Sequence, residues 1–408
     1  MRFFRNGAAG GQDDSPRGRK HSPELADRDP LDMSASATAR LSTRRPLPPR
    51  LSPLRRARRT LALAVALCLV PIAFSYGGML AGASNSSFTI RSFEWLRDHG
   101  AAALASSIES VYYSWNAPAT GGPGLRKLAI KVRGTAAVHP PDVAPILHPA
   151  LAGEGVWVPT ETWSGVNAPV QIAQFRSDPL YPQMVAGVAW IDMHRASVVL
   201  YPGRLEPSVS LPRGLMEVPP TLRSRLLATF NSGFKLEDAH GGFALGGVTY
   251  APLQNGVGTI VGYSDGRVDI EDWQYGPRAP AGVSFARQNL PLIVSGGQPN
   301  PNLSDGPEWG ATLGNAVRVW RSGLGIDAHG NLIYAAANDQ TVGSLAQILI
   351  HAGAIRALQL DINSYWVTFN SYATPNAGQS TSLLPSMTRP VTRYLSADDR
   401  DFFAVYLR

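Results

Sequence analysis

The clearest alternation of apolar and polar positions lies near the carboxyl end of the chain. Three apolar residues alternate with polar ones over 357–363, a pattern that predicts a half-buried strand. Residues 341–351 carry apolar positions at helical spacing, begin at a capping Thr341 and stop before Gly353, and residues 331–336 are typical of another strand. The order strand, helix, strand predicts a right-handed βαβ crossover joining parallel strands, with a site at the carboxyl end of its second strand.

Shorter apolar runs separated by Pro and Gly indicate further strands before this unit. The motif G-x-S-x-G occurs at 262–266, but its Asp-Gly pair lies between two strand-like runs and predicts a β-hairpin, whereas a nucleophile elbow needs a strand followed by a helix. The terminal segment 396–407 predicts a capped helix. Residues 126–408 are therefore predicted to form one α/β (α+β) domain, strand-rich and with a mixed sheet.

A long apolar run near the amino end predicts a membrane anchor. Residues 61–79 are uncharged, about the 19 residues that a helix needs to cross the hydrocarbon core. Four arginines lie directly before this run, and the positive-inside rule then predicts a cytoplasmic amino terminus and an extracellular carboxyl-terminal domain. We predict a single-pass protein of the cell membrane with its anchor at 59–82, and the alternative is a signal peptide cleaved near 81–83.

Two polar segments flank the predicted anchor. Residues 1–58 are rich in Arg, Pro, Ser and Asp and predict a disordered basic cytoplasmic tail. Residues 83–125 predict a helical stalk and a linker, with a helix over 91–115 that is interrupted at Gly100.

Charge and cysteine content narrow the class of protein. The net charge of +7 comes from the tail, because residues 1–59 hold 14 basic and 6 acidic residues and the remainder holds 23 and 24. The predicted domain therefore lacks the basic surface of a nucleic-acid-binding protein. The single cysteine, Cys68, lies in the apolar run, and the histidines form no close pair. We predict no nucleic-acid partner, no metal and no cofactor.

Four segments combine small and polar residues at predicted strand ends. Glycines there allow the backbone to approach a ligand closely. Arginine offers a planar fork of donors to phosphate oxygens, whereas carboxylates and amides hydrogen-bond hydroxyl groups, so the set predicts a polar ligand with an anionic group, such as a sugar joined to a phosphate. The segments are Asn231–Lys235, His240–Gly247, Arg321–Asp327 and Asp361–Asn363.

Four short motifs follow one another along the chain: Asn-x-Gly-Phe at 231–234, Arg-Gln-Asn-Leu at 287–290, Arg-Ser-x-x-Gly at 321–325 and Leu-Asp-Ile-Asn at 360–363. Their order resembles the phosphodiester glycosidase family, in particular its membrane-anchored actinobacterial branch. The resemblance covers about 155–375 and implies a hydrolase that cleaves a sugar-1-phosphodiester bond in a cell-envelope or exopolysaccharide glycan. This chain has Ile362-Asn363-Ser364 where the family commonly has three glycines, so a non-catalytic glycan-binding protein or a structural envelope protein is the alternative.

Residue chemistry and the resemblance together imply roles within one cleft. Asp361 is predicted to be the catalytic carboxylate, Arg321 the phosphate clamp, and Asn231 the partner of a sugar hydroxyl or a phosphate oxygen. Glycoside hydrolysis usually needs two carboxylates, and Asp327 is the possible second one. A glycan or sugar phosphate is the predicted substrate, and protein partners are left open. The predicted substrate-binding residues are Asn363, Gly233, Lys235, His240 and Asp327.

Overall fold

A computed structural model describes residues 52–101, 118–130, 138–160, 168–304, 307–310, 318–373 and 379–408, with single positions between 104 and 115. The predicted tail over 1–51 and most of the stalk after Ala101 lie outside the described residues. The chain divides into two compact units, Met1–Ala66 and Leu67–Arg408. All the described sheets belong to the second unit.

The α-helices of the described part include one that is long and apolar enough to cross a membrane. This helix begins at Pro53, inside the predicted tail, and covers most of the predicted anchor. A π-helical turn, Arg97–Ala101, continues the second helix and is broken at Gly100, where φ is 85°, so the predicted interruption is confirmed. The helices are α1 (Pro53–Ala81), α2 (Phe88–Leu96), α3 (Leu236–Ala239) and α4 (Val342–His351).

The described strands form three sheets in which every described pair of neighbours is antiparallel. The large sheet has the order β1 (Val158–Pro159), β2 (Val170–Arg176), β3 (Val185–Ile191), β14 (Leu332–Gln340), β13 (Val319–Ile326), β15 (Arg356–Gln359), β11 (Leu292–Ser295), β12 (Gln298–Pro299). The second sheet has the order β7 (Val248–Ala251), β6 (Phe243–Leu245), β10 (Val283–Gln288), β8 (Gly258–Tyr263), β9 (Val268–Asp272). The third sheet has the order β17 (Gln379–Ser382), β16 (Phe369–Ala373), β5 (Leu226–Asn231), β18 (Phe402–Leu407), β4 (Ala196–Tyr201).

Both faces of the large sheet are buried. One face packs against α4, through Leu345 and Leu349 among others. The other face packs against the second and third sheets, where Tyr334 of β14 meets Phe230 of β5 and shares its core with Phe285 of β10. The predicted class, a strand-rich α/β domain after an apolar helix, is confirmed.

The predicted crossover is present with a strand inserted into it. The strands β14 and β15 flank α4 and run in the same direction, but β13 lies between them and is antiparallel to both. The apolar pattern showed that these strands are buried; it carried no information about their neighbours, which long-range pairing decides.

The predicted helix over 396–407 is wrong. Residues Phe402–Leu407 form β18, which lies between β5 and β4 and is almost fully buried. A run of aromatic and β-branched residues suits a central strand, which buries both of its faces, better than a helix with one apolar side.

Candidate functional site

Asn231, at the end of β5, links the third sheet to the large sheet. Its Nδ2 donates to Ser322 Oγ at 3.1 Å. Its Oδ1 accepts hydrogen bonds from the Tyr334 hydroxyl at 2.9 Å and from the backbone N–H of Thr368 at 3.1 Å. The side chain is buried, so these three bonds place it firmly at the junction of the two sheets.

The loop after Asn231 depends on a glycine and on the Arg-Gln-Asn motif of β10. Gly233 has a φ of 141°, and a Cβ there would lie 1.9 Å from Asn289 Oδ1. Asn289 accepts a hydrogen bond from the N–H of Phe234 at 3.1 Å and donates to the carbonyl of Ser232 at 3.1 Å. Arg287 donates to the carbonyl of Phe234. The motif therefore holds the loop in shape.

Asp361 lies just beyond β15 and is buried. Its carbonyl accepts from the N–H of Ser322 at 2.9 Å, so Ser322 contacts both Asn231 and Asp361. Asp361 Oδ1 accepts from the N–H of Asn363 at 2.9 Å. Burial raises the pKa of the Asp361 carboxyl to about 6, although the charge of Arg400 and backbone donors oppose the shift.

Arg321 lies on the other face of the large sheet. Successive residues of a strand point to opposite faces of the sheet. Ser322 of β13 faces Asn231, whereas Gly323 lies against α4. Arg321 is two positions before Gly323 and therefore shares its face. Arg321 Nε donates to the carbonyl of Gln340 at 2.9 Å, and Nη1 donates to Gln359 Oε1 at 2.5 Å. Burial lowers the pKa of the guanidinium to about 9. The structure therefore does not bring Arg321 together with the other two predicted catalytic residues.

Asp327 and His240 occupy turns. Asp327 Oδ1 accepts from the N–H groups of His329 at 2.8 Å and Asn331 at 2.9 Å in the turn between β13 and β14. This turn lies five residues beyond Ser322 along an extended strand, about 16 Å away. His240 is exposed and ends α3 with a left-handed φ of 48°. The structure does not bring Asp327 to Asp361.

A cavity of about 610 Å³ opens beside Lys235. Its walls come from the end of α1, from α2 and its π-helical turn, and from the loop between β4 and β5. Its lining combines acidic and basic side chains with an aromatic ring. The lining groups with a direct bearing on chemistry are Glu94, Glu206, Lys235, Trp366 and Arg400.

Arg400 is a buried cation of this cavity, with 9% of its surface exposed. Its guanidinium lies over the ring of Trp366, 4.6 Å from the centroid, and its Nη2 lies 4.0 Å from Glu94 Oε1. Its Nη1 has no hydrogen-bond partner within the described part of the chain. Burial opposes the charge, but Glu94, Asp361 and Glu206 together raise the pKa of Arg400 above its ordinary value.

Glu206 provides a second buried carboxyl group. Its Oε2 accepts from the N–H groups of Ser208 at 3.2 Å and Leu236 at 3.3 Å. Burial raises its pKa, and the charge of Arg400 opposes the shift. Asp361 and Glu206 are therefore two buried carboxyl groups with raised pKa values, both within electrostatic reach of Arg400.

Lys235 is also buried and is surrounded by acidic groups. Its Nζ lies 2.6 Å from Glu94 Oε2, 2.9 Å from Asp98 Oδ1 and 3.8 Å from Glu237 Oε1. Burial opposes the charge of Lys235, but Glu94 raises its pKa above the ordinary value. The predicted binding residue is thus paired with acidic residues of α2 and of the π-helical turn that continues it.

A polar segment before α2 docks beside the cavity. Asn85 Nδ2 donates to Asp398 Oδ2 at 2.8 Å, and Ser86 Oγ donates to Asp399 Oδ2 at 2.7 Å. The N–H of Ser87 donates to the Tyr365 hydroxyl at 2.8 Å. The segment 85–87, which begins the predicted stalk, therefore contacts residues of the strand-rich domain.

Sequence reasoning missed Glu206 and Arg400. One signal was available: residues 398–401 are four consecutive charged residues directly before an apolar run. Such a run is usually solvated, whereas here all four side chains are buried. Within the described residues, no group of three or more His, Cys, Asp and Glu side chains is arranged to hold a metal ion.

These features define a strand-rich α/β protein with buried acidic and basic groups at a junction of sheets. No family model matches the sequence, and no curated protein matches it. The similarities to solved structures are weak and concern the fold. One is to the catalytic domain of zebrafish N-acetylglucosamine-1-phosphodiester alpha-N-acetylglucosaminidase, auto-inhibited by its pro-peptide, with a TM-score of 0.41 and 17% identity over 62% of this chain and 88% of that one.

Two further solved structures are similar at the same level. A hypothetical protein from Synechocystis has a TM-score of 0.37 and 14% identity over 60% of this chain, and the match spans 63% of that protein. A putative exported protein from Burkholderia pseudomallei has a TM-score of 0.34 and 11% identity over 56% of this chain and 75% of that one.

Proposed function

We propose that this protein is a membrane-anchored extracellular hydrolase that cleaves a sugar-1-phosphodiester bond in a cell-envelope or exopolysaccharide glycan. One observation carries the proposal: Asp361 and Glu206 are two buried carboxyl groups with raised pKa values, and both lie within electrostatic reach of the cation Arg400. Paired carboxyl groups near an anion-binding cation suit hydrolysis at an anomeric carbon that is linked to phosphate. The motifs of the phosphodiester glycosidase family support the same substrate class.

Asp361 and Glu206 are the two carboxyl groups that glycoside hydrolysis usually needs. Asp361 is the principal catalytic group, acting as general acid or base at the anomeric centre, because a pKa of about 6 allows it to gain and lose a proton near neutrality. Glu206 is the second carboxyl group, and it replaces Asp327, which lies in a distant turn. A phosphate leaving group already stabilises negative charge and needs little protonation.

The other predicted residues take supporting roles. Asn231 positions Ser322, and through it the backbone of Asp361, while Asn363 holds the Asp361 carboxylate by a backbone hydrogen bond. Arg321 stabilises the opposite face of the large sheet. Gly233 allows the loop to pass Asn289.

Release of sugar from a defined diester tests the proposal. The full-length chain in detergent micelles is incubated with the methyl phosphodiesters of N-acetylglucosamine, glucose and mannose, each linked at the anomeric carbon, and free sugar is measured. We expect release from at least one diester, and a loss of at least 100-fold in Asp361→Asn, because the general acid-base group is removed. Asp238→Asn is the matched control, since Asp238 is exposed on α3.

The alternative is a glycan-binding or structural envelope protein on the same fold. Equal rates for the wild type and Asp361→Asn would contradict the catalytic assignment. Binding of the diesters without any release of sugar would favour the glycan-binding alternative.

The proposed location rests on α1 and on the arginines at its start. An extracellular carboxyl terminus predicts that a protease added to intact spheroplasts removes a carboxyl-terminal tag but spares an amino-terminal tag. The reverse pattern would contradict the topology.

A further inference from the structure

We infer that Lys235 and Arg400 form a binding site for a phosphate-class anion, and that Glu94 of α2 occupies this site in the structure. The inference deepens the proposed function, because it names the cations that hold the phosphodiester. Anion binding can be measured without turnover, so the two ideas can fail separately.

The two cations contact the two oxygens of one carboxylate. Glu94 Oε2 lies 2.6 Å from Lys235 Nζ, and Glu94 Oε1 lies 4.0 Å from Arg400 Nη2. Although burial opposes the charge, Arg400 and Lys235 lower the pKa of the Glu94 carboxyl. A carboxylate and a phosphate present the same kind of charged oxygen acceptor, so a pair that holds one can hold the other.

Arg400 retains donor capacity for a larger anion. Its Nη1 is buried without a hydrogen-bond partner in the described residues, and 91% of the residue surface is covered, since 9% is exposed. The two oxygens of the Glu94 carboxylate lie near Lys235 Nζ and Arg400 Nη2, and neither is bonded to Nη1. A phosphodiester presents further acceptor oxygens for this donor. The unused donor indicates that Glu94 fills the site incompletely.

Lys235 depends on Glu94 more than on its other acidic neighbours. The side chain of Glu94 is 19% exposed, whereas those of Asp98 and Glu237 are 45% and 60% exposed. Exposed pairs contribute little because water screens them. If Glu94 leaves, two buried cations lose their principal partner, and a buried charge without a partner is strongly unfavourable. An incoming anion supplies that partner.

The helix that carries Glu94 contributes no residue to the described hydrophobic clusters. None of the nine residues of α2 is buried. The segment before it docks through polar contacts, such as those from Asn85 to Asp398 and from Ser86 to Asp399. Water can take the place of these donors once the segment has left. Glu94 and an anionic ligand therefore compete for the same two cations.

Phosphate binding tests the competition directly. Inorganic phosphate is titrated into the full-length chain in detergent micelles by calorimetry, at pH 7.5 and constant ionic strength. We expect Glu94→Gln to tighten phosphate binding at least tenfold, because glutamine keeps the size of the side chain but no longer neutralises the cations. Glu237→Gln is the matched control, since it removes the same charge 3.8 Å from the same lysine at an exposed position, and we expect less than a twofold effect.

Double variants identify the cations. In the Glu94→Gln background, Lys235→Gln and Arg400→Gln should each abolish the gain in affinity. Thermal unfolding shows which variants are folded, and Lys235→Gln decides the question if Arg400→Gln does not fold. Unchanged phosphate affinity in Glu94→Gln, or a gain that persists after Lys235→Gln, overturns the inference. If phosphate binding tightens but no sugar is released from the diesters, the anion site is supported and only the proposed hydrolysis is contradicted.

Discussion

Asp361→Asn should make the protein more stable at neutral and alkaline pH while it removes the proposed activity. Asparagine is nearly isosteric with aspartate, and its Oδ1 can still accept the hydrogen bond from the N–H of Asn363. The substitution therefore removes the charge and leaves the local geometry in place.

The size of the effect follows from the pKa of Asp361. Burial raises this pKa from 3.8 to about 6, a shift of about two units, which corresponds to about 3 kcal/mol at 1.36 kcal/mol per unit. Between about pH 4 and pH 6 the folded state binds more protons than the unfolded state, so the free energy of unfolding falls as the pH rises through this window. Well below pH 4 the carboxyl is protonated in both states and the penalty disappears.

Urea unfolding at several pH values measures this penalty. The full-length wild type and Asp361→Asn are compared in detergent micelles by the fluorescence of their nine tryptophans. We expect the variant to be more stable by up to about 3 kcal/mol at pH 8 and by much less near pH 4. Asp238→Asn, at an exposed position, should show no such pH-dependent difference.

Two outcomes would refute this reasoning. A variant no more stable than the wild type at pH 8 would mean that the fold tolerates the Asp361 charge without penalty. A difference of the same size at pH 4 and pH 8 would mean that asparagine acts through packing. The expected result combines a gain in stability with a loss of activity, as is common for buried catalytic groups.

Two further predictions concern the fold around the site. Gly233→Ala should lower the free energy of unfolding by about 2 kcal/mol or more, because the added Cβ would lie 1.9 Å from Asn289 Oδ1. Gly246 also has a positive φ but has open space around it, so Gly246→Ala should cost only about 1 kcal/mol. Thermal unfolding measures both losses, and equal losses would contradict the steric argument. Thr341→Ala should lower the free energy of unfolding by about 1 kcal/mol, because it removes the acceptor for the N–H of Ser344 at the start of α4. Thr341→Ser keeps a hydroxyl acceptor and should retain the stability of the wild type. No loss in the alanine variant would show that packing alone sets the start of the helix.

Local patterns in the sequence predicted the elements that short-range physics specifies. The apolar run at 61–79 predicted a helix long enough to cross a membrane, and α1 has that length and composition. Thr341 predicted the start of α4, where it forms the capping hydrogen bond. The Asp-Gly turn at 265–266 predicted the hairpin of β8 and β9. In each case, the signal and the structure lie within a few residues of each other.

The pattern of apolar residues could not show which face a side chain occupies where both faces of a strand are buried. Arg321 and Ser322 are equally buried, so hydrophobicity could not indicate that only Ser322 faces Asn231. The terminal segment, predicted as a capped helix, is a strand for the same reason: with both faces buried it lacks the alternation that distinguishes a strand from a helix. The buried charge of Arg400 was missed because its partners, such as Glu94, come from distant parts of the chain.

The sequence by itself determined the long apolar helix near the amino end, the strand-rich class of the domain and the position of Asp361 beyond a strand end. These follow from local periodicity, turn residues and caps. Tertiary structure alone decided which cation interacts electrostatically with Asp361. Arg321 lies on the opposite face of the large sheet, and Arg400 comes from the loop before β18. It also decided that Glu206 and Glu94 belong to the same cavity. Charged groups interact through space, and only the folded chain sets the distances and the burial that determine their pKa values and their partners.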